Sequence, residues 1–207
     1  MLKIDCLTLG AYQSNTYFVR PAGATECVII DPGYAPRTIL DKLRALGLQC
    51  AAIALTHGHF DHVGAAEEVA AAEGCPLWIS PEDWAMSLEP SAAPFFPLDH
   101  SRIRTVRFFS EDAPLTVSGL HLSVLKTPGH TPGSVCLMGE DCLFTGDTLF
   151  DGSCGRTDLP GGSHLQMRRS LCRLAALSGD FHVYPGHGPA TTLDVQHARN
   201  PYLTEVL

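Results

Sequence analysis

Three histidines and one aspartate fall within six consecutive positions of the segment Thr56-His57-Gly58-His59-Phe60-Asp61-His62. Neutral imidazoles and carboxylates are ligand types that bind zinc and iron ions. His57 and His59 can converge on one ion, while the adjacent Asp61 and His62 can turn toward a second. A solvated His-rich loop is the alternative, but three of the chain's ten histidines lie in this one cluster. The segment therefore predicts metal chemistry.

Three later segments share one arrangement, in which a predicted strand ends in a glycine turn and a ligand-type residue follows. They are Thr127-Pro128-Gly129-His130, Phe144-Thr145-Gly146-Asp147 and Tyr184-Pro185-Gly186-His187. Glycine lets the backbone turn sharply, so that the next side chain can project into a cleft. Each segment alone is a weak signal, because Pro-Gly-His is most often only a turn. Together with the first cluster they bring the candidate ligands to seven.

The predicted elements explain how these residues could be positioned. The apolar run 51–55 is typical of a buried strand, which would deliver the histidine cluster at its carboxyl end. Proline-rich residues 81–101 predict a surface loop with a short helix, and Ser163 is a predicted helix N-cap. Two β-rich halves, each carrying helices, predict two sheets packed together with helices outside. Strands are predicted at 2–8, 16–20, 27–30, 51–55, 76–80, 103–109, 120–126, 134–139, 142–145 and 181–184, and helices at 37–46, 62–73, 164–178 and 191–198.

The bulk properties exclude several classes of protein. A length of 207 residues with 45% apolar residues suits a compact core of one domain. A net charge of −8 disfavours binding to nucleic acid or to an anionic membrane. The eight cysteines form no Cys-x-x-Cys pair, and the first residues lack a signal-peptide core. We expect a soluble protein of a reducing cytoplasm that binds neither nucleic acid nor membrane.

The ordered set of ligand-type residues resembles that of the metallo-β-lactamase-fold hydrolases. The resemblance spans Asp31-Pro32-Gly33 to His187 and implies an α/β fold, an αββα sandwich of two mixed β-sheets with helices outside, as a single domain over 1–207. It implies a two-metal site at one edge of that sandwich. Zinc is the metal most expected, with iron and manganese as alternatives. The resemblance assigns one divalent ion to His57, His59 and His130, the other to Asp61, His62 and His187, and makes Asp147 the bridge between them.

Two segments within that family resemblance are similar to glyoxalase II: Gly146-Asp147-Thr148-Leu149-Phe150 and Cys154-Gly155-Arg156. The continuation Thr157-Asp158-Leu159-Pro160-Gly161-Gly162 resembles the short, single-domain bacterial glyoxalase II-like proteins, or hydroxyacylglutathione hydrolases. The longer enzymes add a C-terminal helical glutathione-binding domain, for which a chain ending at Leu207 leaves no room. They also carry a lysine at the position of Arg156 that contacts the glutathione carboxylate. The resemblance therefore implies that Arg156 binds substrate, although Asp158 replaces an aromatic residue of those enzymes.

The resemblance implies hydrolysis of glutathione thioesters, such as S-lactoylglutathione to glutathione and lactate. A metal-bridging hydroxide would attack the acyl carbonyl, and Asp61 would orient this nucleophile and accept its proton. A thiol pKa of about 8.5 lets the thiolate leave without a strong acid.

Two alternatives share the fold. A mononuclear Fe(II) persulfide dioxygenase would use His57, His130 and Asp147 as an open site of two histidines and one carboxylate. The Leu159-Pro160-Gly161-Gly162 continuation favours the hydrolase over that dioxygenase. A β-lactamase role is disfavoured, because those enzymes lack a residue equivalent to Asp147.

Asp31 is left with two interpretations, as a turn residue or as the hydrogen-bond partner of a metal ligand. Asp61 could alternatively be a helix N-cap, but the neighbouring histidines favour a ligand role. The remaining histidines are expected at the surface or in the core. They are His100, His121, His164, His182 and His197.

Overall fold

The structure, a computed structural model, describes residues 1–204 as two six-stranded β-sheets with helices on their outer faces. The first sheet has the spatial order β1 (Leu2–Leu9), β2 (Ser14–Pro21), β3 (Glu26–Ile30), β4 (Gln49–Ala54), β5 (Leu77–Ile79) and β6 (Val106–Phe108). The second has the order β14 (Thr191–Thr192), β13 (His182–Pro185), β10 (Cys142–Gly146), β9 (Val135–Met138), β8 (Leu120–Lys126) and β7 (Leu115–Val117). A short hairpin pairs β11 (Leu149–Phe150) with β12 (Ser153–Cys154). This mixed α/β sandwich confirms the predicted fold class.

The helices cover the sheets from outside. They are α1 (Pro36–Leu46), α2 (Phe60–Val63), α3 (Ala66–Glu73), α4 (Pro81–Met86), α5 (His164–Ala175), α6 (Leu193–Arg199) and α7 (Pro201–Thr204), with a 3-10 turn at His100–Arg102. Ser163 caps α5 as predicted, because its side chain accepts a hydrogen bond from the Gln166 backbone N–H. No helix within residues 1–204 is both long and apolar enough to span a membrane.

Three apolar layers hold the sandwich together. Helices α1 and α3 pack on the first sheet, the two sheets pack on each other, and α5 to α7 pack on the second sheet. Strands β3 and β10 are buried along almost their whole length, as inner strands covered on both faces must be. Buried side chains that represent the three layers are Ile39, Leu43 and Val69, then Val28, Leu122 and Phe144, then Met167, Leu171 and Val183.

Strand direction brings the candidate ligands to one edge. Strand β3 runs parallel to β4, and β10 runs parallel to β13, so that the carboxyl ends within each pair meet. The sheets are also joined at this edge, because the Val135 N–H donates to the Thr56 carbonyl at 2.9 Å. Within the second sheet the Gly186 N–H donates to the Gly146 carbonyl at 2.8 Å.

The single helix predicted at 62–73 is two helices, α2 and α3. The Ala65 N–H donates to the Pro32 carbonyl at 2.9 Å instead of continuing a helical ladder. The preceding Gly64 approaches the Gly33 backbone so closely that an added Cβ would lie 2.6 Å from the Gly33 carbonyl oxygen. The break therefore comes from a tertiary contact. Strands β7, β11, β12 and β14 were not predicted, because two or three residues are too few to show a period.

Candidate metal centre

Asp31 anchors the segment that carries the histidine cluster. This carboxylate is 2% exposed and follows β3, beside the end of β4. It accepts hydrogen bonds from the Thr56 backbone N–H at 2.7 Å and from Thr56 Oγ1 at 2.5 Å. Its Oδ2 also lies 3.0 Å from His62 Nδ1. Of the two interpretations of Asp31, the structure supports the partner of a candidate ligand.

His57, His59 and His130, the first ligand group, each offer a ring nitrogen within 4.8 Å of the others. His59 Nδ1 and His130 Nε2 lie 2.8 Å apart, and all three side chains are buried. Burial, followed by repulsion from neighbouring imidazoles, lowers the pKa of His57 and brings the pKa of His59 down to about 3. Burial also lowers the pKa of His130. The group therefore consists of neutral imidazoles, the form that binds metal ions.

Asp61, His62 and His187, the second ligand group, also offer atoms within 4.8 Å of one another. The Nε2 atoms of His62 and His187 are 3.2 Å apart, and His187 Nε2 lies 3.3 Å from Asp61 Oδ2. Burial alone would lower the pKa of His187, but hydrogen bonds to Asp147 and Asp61 raise it to about 10. This position therefore stabilises a positive charge.

Asp147 faces both ligand groups. Its Oδ2 lies 3.5 Å from His130 Nε2 and 3.5 Å from His187 Nε2, and its Oδ1 lies 3.4 Å from His62 Nε2. Burial tends to raise the pKa of Asp147, but the surrounding imidazoles, led by His62, hold it well below its usual range. An ionised carboxylate between two groups of ligands has the position and charge of a bridging ligand.

Hydrogen bonds on the outer side of the rings fix which nitrogen faces the centre. His130 Nδ1–H donates to the Arg156 carbonyl at 2.8 Å, and His187 Nδ1–H donates to the Tyr12 carbonyl at 3.0 Å. The Thr56 hydroxyl already donates to Asp31, so it accepts from His57 Nδ1–H at 3.1 Å. Each of these three rings therefore directs its Nε2 atom inward, as metal-binding histidines do.

Close backbone approach at Gly146 brings the two sheets together here. Gly146 has φ +48°, and an added Cβ would lie 2.3 Å from Thr56 Oγ1. A side chain at this position would force the end of β10 away from the end of β4. The glycine in the Gly-Asp segment therefore fixes the distance between Asp147 and the histidine cluster.

Asn15 positions the loop of His187 from the opposite sheet. Its backbone N–H donates to the Gly186 carbonyl at 2.7 Å. Its side-chain amide donates to the carbonyls of Pro185 and Gly188 at 3.0 and 2.9 Å. No sequence signal indicates this role, because Asn15 stands within β2 and belongs to no motif.

Unpaired buried atoms test whether these residues fit metal ions. His57 Nε2 and Asp147 Oδ1, which face the ligand groups, are buried and have no hydrogen-bond partner within residues 1–204. Leaving such atoms unsatisfied costs about 1–3 kcal/mol each. Nitrogen and carboxylate oxygen atoms that converge in this way match the donor set of zinc or iron. The residues present therefore fit divalent ions.

A cavity of about 440 Å³ opens over both ligand groups. Its walls include apolar side chains, and Tyr12 packs edge-to-face on Phe60 with ring centroids 5.2 Å apart. Phe95 and Leu159 complete this apolar rim. Such a cavity can hold an acyl group against the centre while excluding water from one side.

Arg156 lies at the rim of the same cavity, but its guanidinium already has a carboxylate partner. Nε and Nη2 donate to the two carboxylate oxygens of Asp158 at 2.7 and 2.8 Å. Both side chains are more than half exposed. The expected substrate contact is thus satisfied inside the chain, and a substrate carboxylate would have to compete with Asp158.

The fold is an α/β sandwich that gathers histidine and aspartate side chains able to hold metal ions at one edge. The family model described as the metallo-beta-lactamase superfamily matches residues 9–189. The chain therefore belongs to the metallo-β-lactamase superfamily.

Individual relatives cover nearly all of the chain. A hydroxyacylglutathione hydrolase, GloC of Haemophilus influenzae, is 32% identical over 98% of both chains. The crystal structure of TTHA1623 in a di-iron-bound form is 38% identical, with a TM-score of 0.82 over 96% of this chain and 100% of that one. The structure of the BLEG-1 B3 metallo-β-lactamase is 33% identical, with a TM-score of 0.84 over 99% and 100%. Likeness alone therefore does not select the substrate.

Proposed function

We propose that the protein is a binuclear metallohydrolase that cleaves glutathione thioesters, with S-lactoylglutathione as the model substrate. The observation that carries the proposal is the pair of ligand groups that share Asp147. The identity of 32% to a hydroxyacylglutathione hydrolase supports the substrate class, and the di-iron form of a neighbour at 38% identity supports two ions. Zinc is the metal we expect, with iron and manganese compatible with the same ligands.

Each ligand group would hold one divalent ion, and Asp147 would contact both. When bound, such ions supply Lewis-acid polarisation of the acyl carbonyl and a water molecule of lowered pKa. The protein's own residues prepare that reaction. Neutral imidazoles in the first ligand group leave their lone pairs available, and Asp147 keeps its negative charge between the groups.

Asp61 is the residue we assign to orienting the attacking water. It lines the cavity, and its Oδ2 lies 3.3 Å from His187 Nε2. Burial raises the pKa of Asp61, but the hydrogen bond to His187 and the charge of His62 outweigh burial and lower it. An ionised carboxylate accepts a hydrogen bond from the water and aligns it toward the acyl carbon. The apolar rim of Tyr12, Phe60, Phe95 and Leu159 would hold the acyl group.

The test of this activity is a panel of substrates on metal-replete protein. We expect hydrolysis of S-lactoylglutathione, slower hydrolysis of a small neutral thioester, and little turnover of a β-lactam or of glutathione persulfide. The β-lactam is included because of the 33% identity to a B3 metallo-β-lactamase. A preference for the β-lactam would contradict the proposal, and so would oxygen-dependent turnover of the persulfide without thioesterase activity.

Substitutions in the Arg156–Asp158 pair should change KM for the glutathione thioester in opposite directions. We expect Arg156→Ala to raise KM for S-lactoylglutathione about tenfold, the loss of one charge-assisted hydrogen-bonded pair. Asp158→Asn removes the competing charge, so it should lower the same KM. Neither change should alter KM for a neutral thioester. Equal effects on charged and neutral thioesters would make Arg156 a structural residue of the loop.

A further inference from the structure

Asp83 is a fully buried carboxylate at the start of α4, outside the seven candidate ligands. Its backbone N–H donates to the N-cap Ser80 Oγ at 3.1 Å, which fixes the main chain. Its side chain turns away from the helix. Oδ2 accepts from the Gly58 N–H at 2.8 Å and from Thr131 Oγ1 at 2.7 Å, and Oδ1 accepts from the Gly133 N–H at 2.7 Å. Both carboxylate oxygens are therefore hydrogen-bonded.

These three donors belong to the two segments that carry the first ligand group. Gly58 lies between two of its histidines, and Thr131 directly follows the third. Asp83 thus joins two loops that are far apart in sequence at the point where their ligands converge. The second ligand group is anchored differently, because His62 contacts Asp31.

We propose that Asp83 is the positioning residue of the first metal ion, holding the His57–His59 loop and the His130 loop at the spacing that one ion requires. The proposal rests on the ligand assignment made under the proposed function. Burial raises the pKa of Asp83 to about 6, against hydrogen bonds that lower it, with Thr131 the strongest of them. All three partners are N–H or O–H donors, and the carboxylate accepts from each of them.

Two substitutions remove this connection to different extents. Asp83→Asn keeps the size but replaces one acceptor oxygen by an NH₂ group, which must then face an N–H or O–H donor. Thr131→Val removes the hydroxyl that donates to Asp83, together with its 2.7 Å contact to Ser134 Oγ, and Thr131→Ser restores the hydroxyl. Loss of a hydrogen-bond partner just outside the ligands typically weakens metal binding about 10- to 100-fold.

Glu73 offers a matched control at the start of β4, the strand whose other end leads into the His57–His59 loop. Its carboxylate accepts from the Cys50 N–H of β4 at 3.0 Å, far from the ligand loops. Glu73→Gln therefore removes a carboxylate that also holds backbone, without touching the centre. A general loss of stability should affect this variant as well.

The experiment is a zinc competition titration against a chelating indicator, with zinc per chain measured after dialysis. We expect the wild-type chain and Glu73→Gln to keep two ions. Asp83→Asn and Thr131→Val should keep one ion firmly and bind the other about 10- to 100-fold more weakly, and Thr131→Ser should recover wild-type binding. Two ions of wild-type affinity in both Asp83→Asn and Thr131→Val would overturn the proposal, as would an equal loss in Glu73→Gln. Fewer than two ions in the wild-type chain would instead contradict the proposed function, and this proposal with it.

Discussion

Asp147→Ala is expected to lower kcat for thioester hydrolysis by at least about 100-fold and to release at least one metal ion per chain. Loss of a hydrogen-bond partner of a metal ligand typically lowers metal affinity or activity by about 10- to 100-fold. Loss of a ligand shared by two ions should lower both at least as much. This loss is expected because Asp147 lies between the two ligand groups. Asp147 lies within 3.5 Å of nitrogen atoms from both ligand groups, so its loss removes a negative charge from two sites at once.

The control for this variant is Asp141→Ala. Asp141 is an exposed aspartate immediately before β10, whereas Asp147 immediately follows it. Removing it should change neither metal content nor kcat. Full activity and two ions in Asp147→Ala would show that this carboxylate does not bridge the centre.

Gly186→Ala is expected to reduce kcat about 100-fold, because a displacement of about 1 Å at a reacting site costs roughly that factor. The added methyl group would lie 2.2 Å from Asp147 Oδ1 and 2.7 Å from His62 Cε1. Both contacts are too short, so the carboxylate and the imidazole must move. The measurement is kcat together with metal content, since misplaced ligands should also bind metal more weakly.

Gly188→Ala separates this steric effect from strain in the loop. Gly188 has φ +78° and nothing within 4 Å of an added Cβ. Alanine there should cost about 1 kcal/mol of stability through its backbone conformation and leave kcat unchanged. Similar losses of kcat in both alanine variants would mean that the whole loop, rather than contact with Asp147, explains the effect.

The seven candidate ligands could be found from the sequence because each lies next to a local signal. The histidine cluster follows a buried apolar run, and the later ligands follow Pro-Gly or Thr-Gly turns. Such signals depend only on neighbouring residues. Two sheets with outer helices were likewise predictable, since apolar runs and helical periods show which elements exist.

Contacts between distant segments could not be predicted in the same way. Asp83 is one acidic residue in a proline-rich segment, and its three donors lie 25 to 50 positions away. Asn15 reaches across to carbonyls 170 or more positions away. Neither residue type has a spacing that would indicate such a partner. The ion pair between Arg156 and Asp158 joins residues only two positions apart, yet it was not predicted, because the family resemblance assigned Arg156 to the substrate.

Elemental analysis paired with an S-lactoylglutathione assay on the same sample decides whether the chain holds a two-ion centre that hydrolyses thioesters. We predict two divalent ions per chain, with hydrolysis that is lost after chelation and returns in proportion to the ions restored. One iron per chain, with oxygen consumed on glutathione persulfide and no thioester hydrolysis, would contradict a two-ion thioesterase centre.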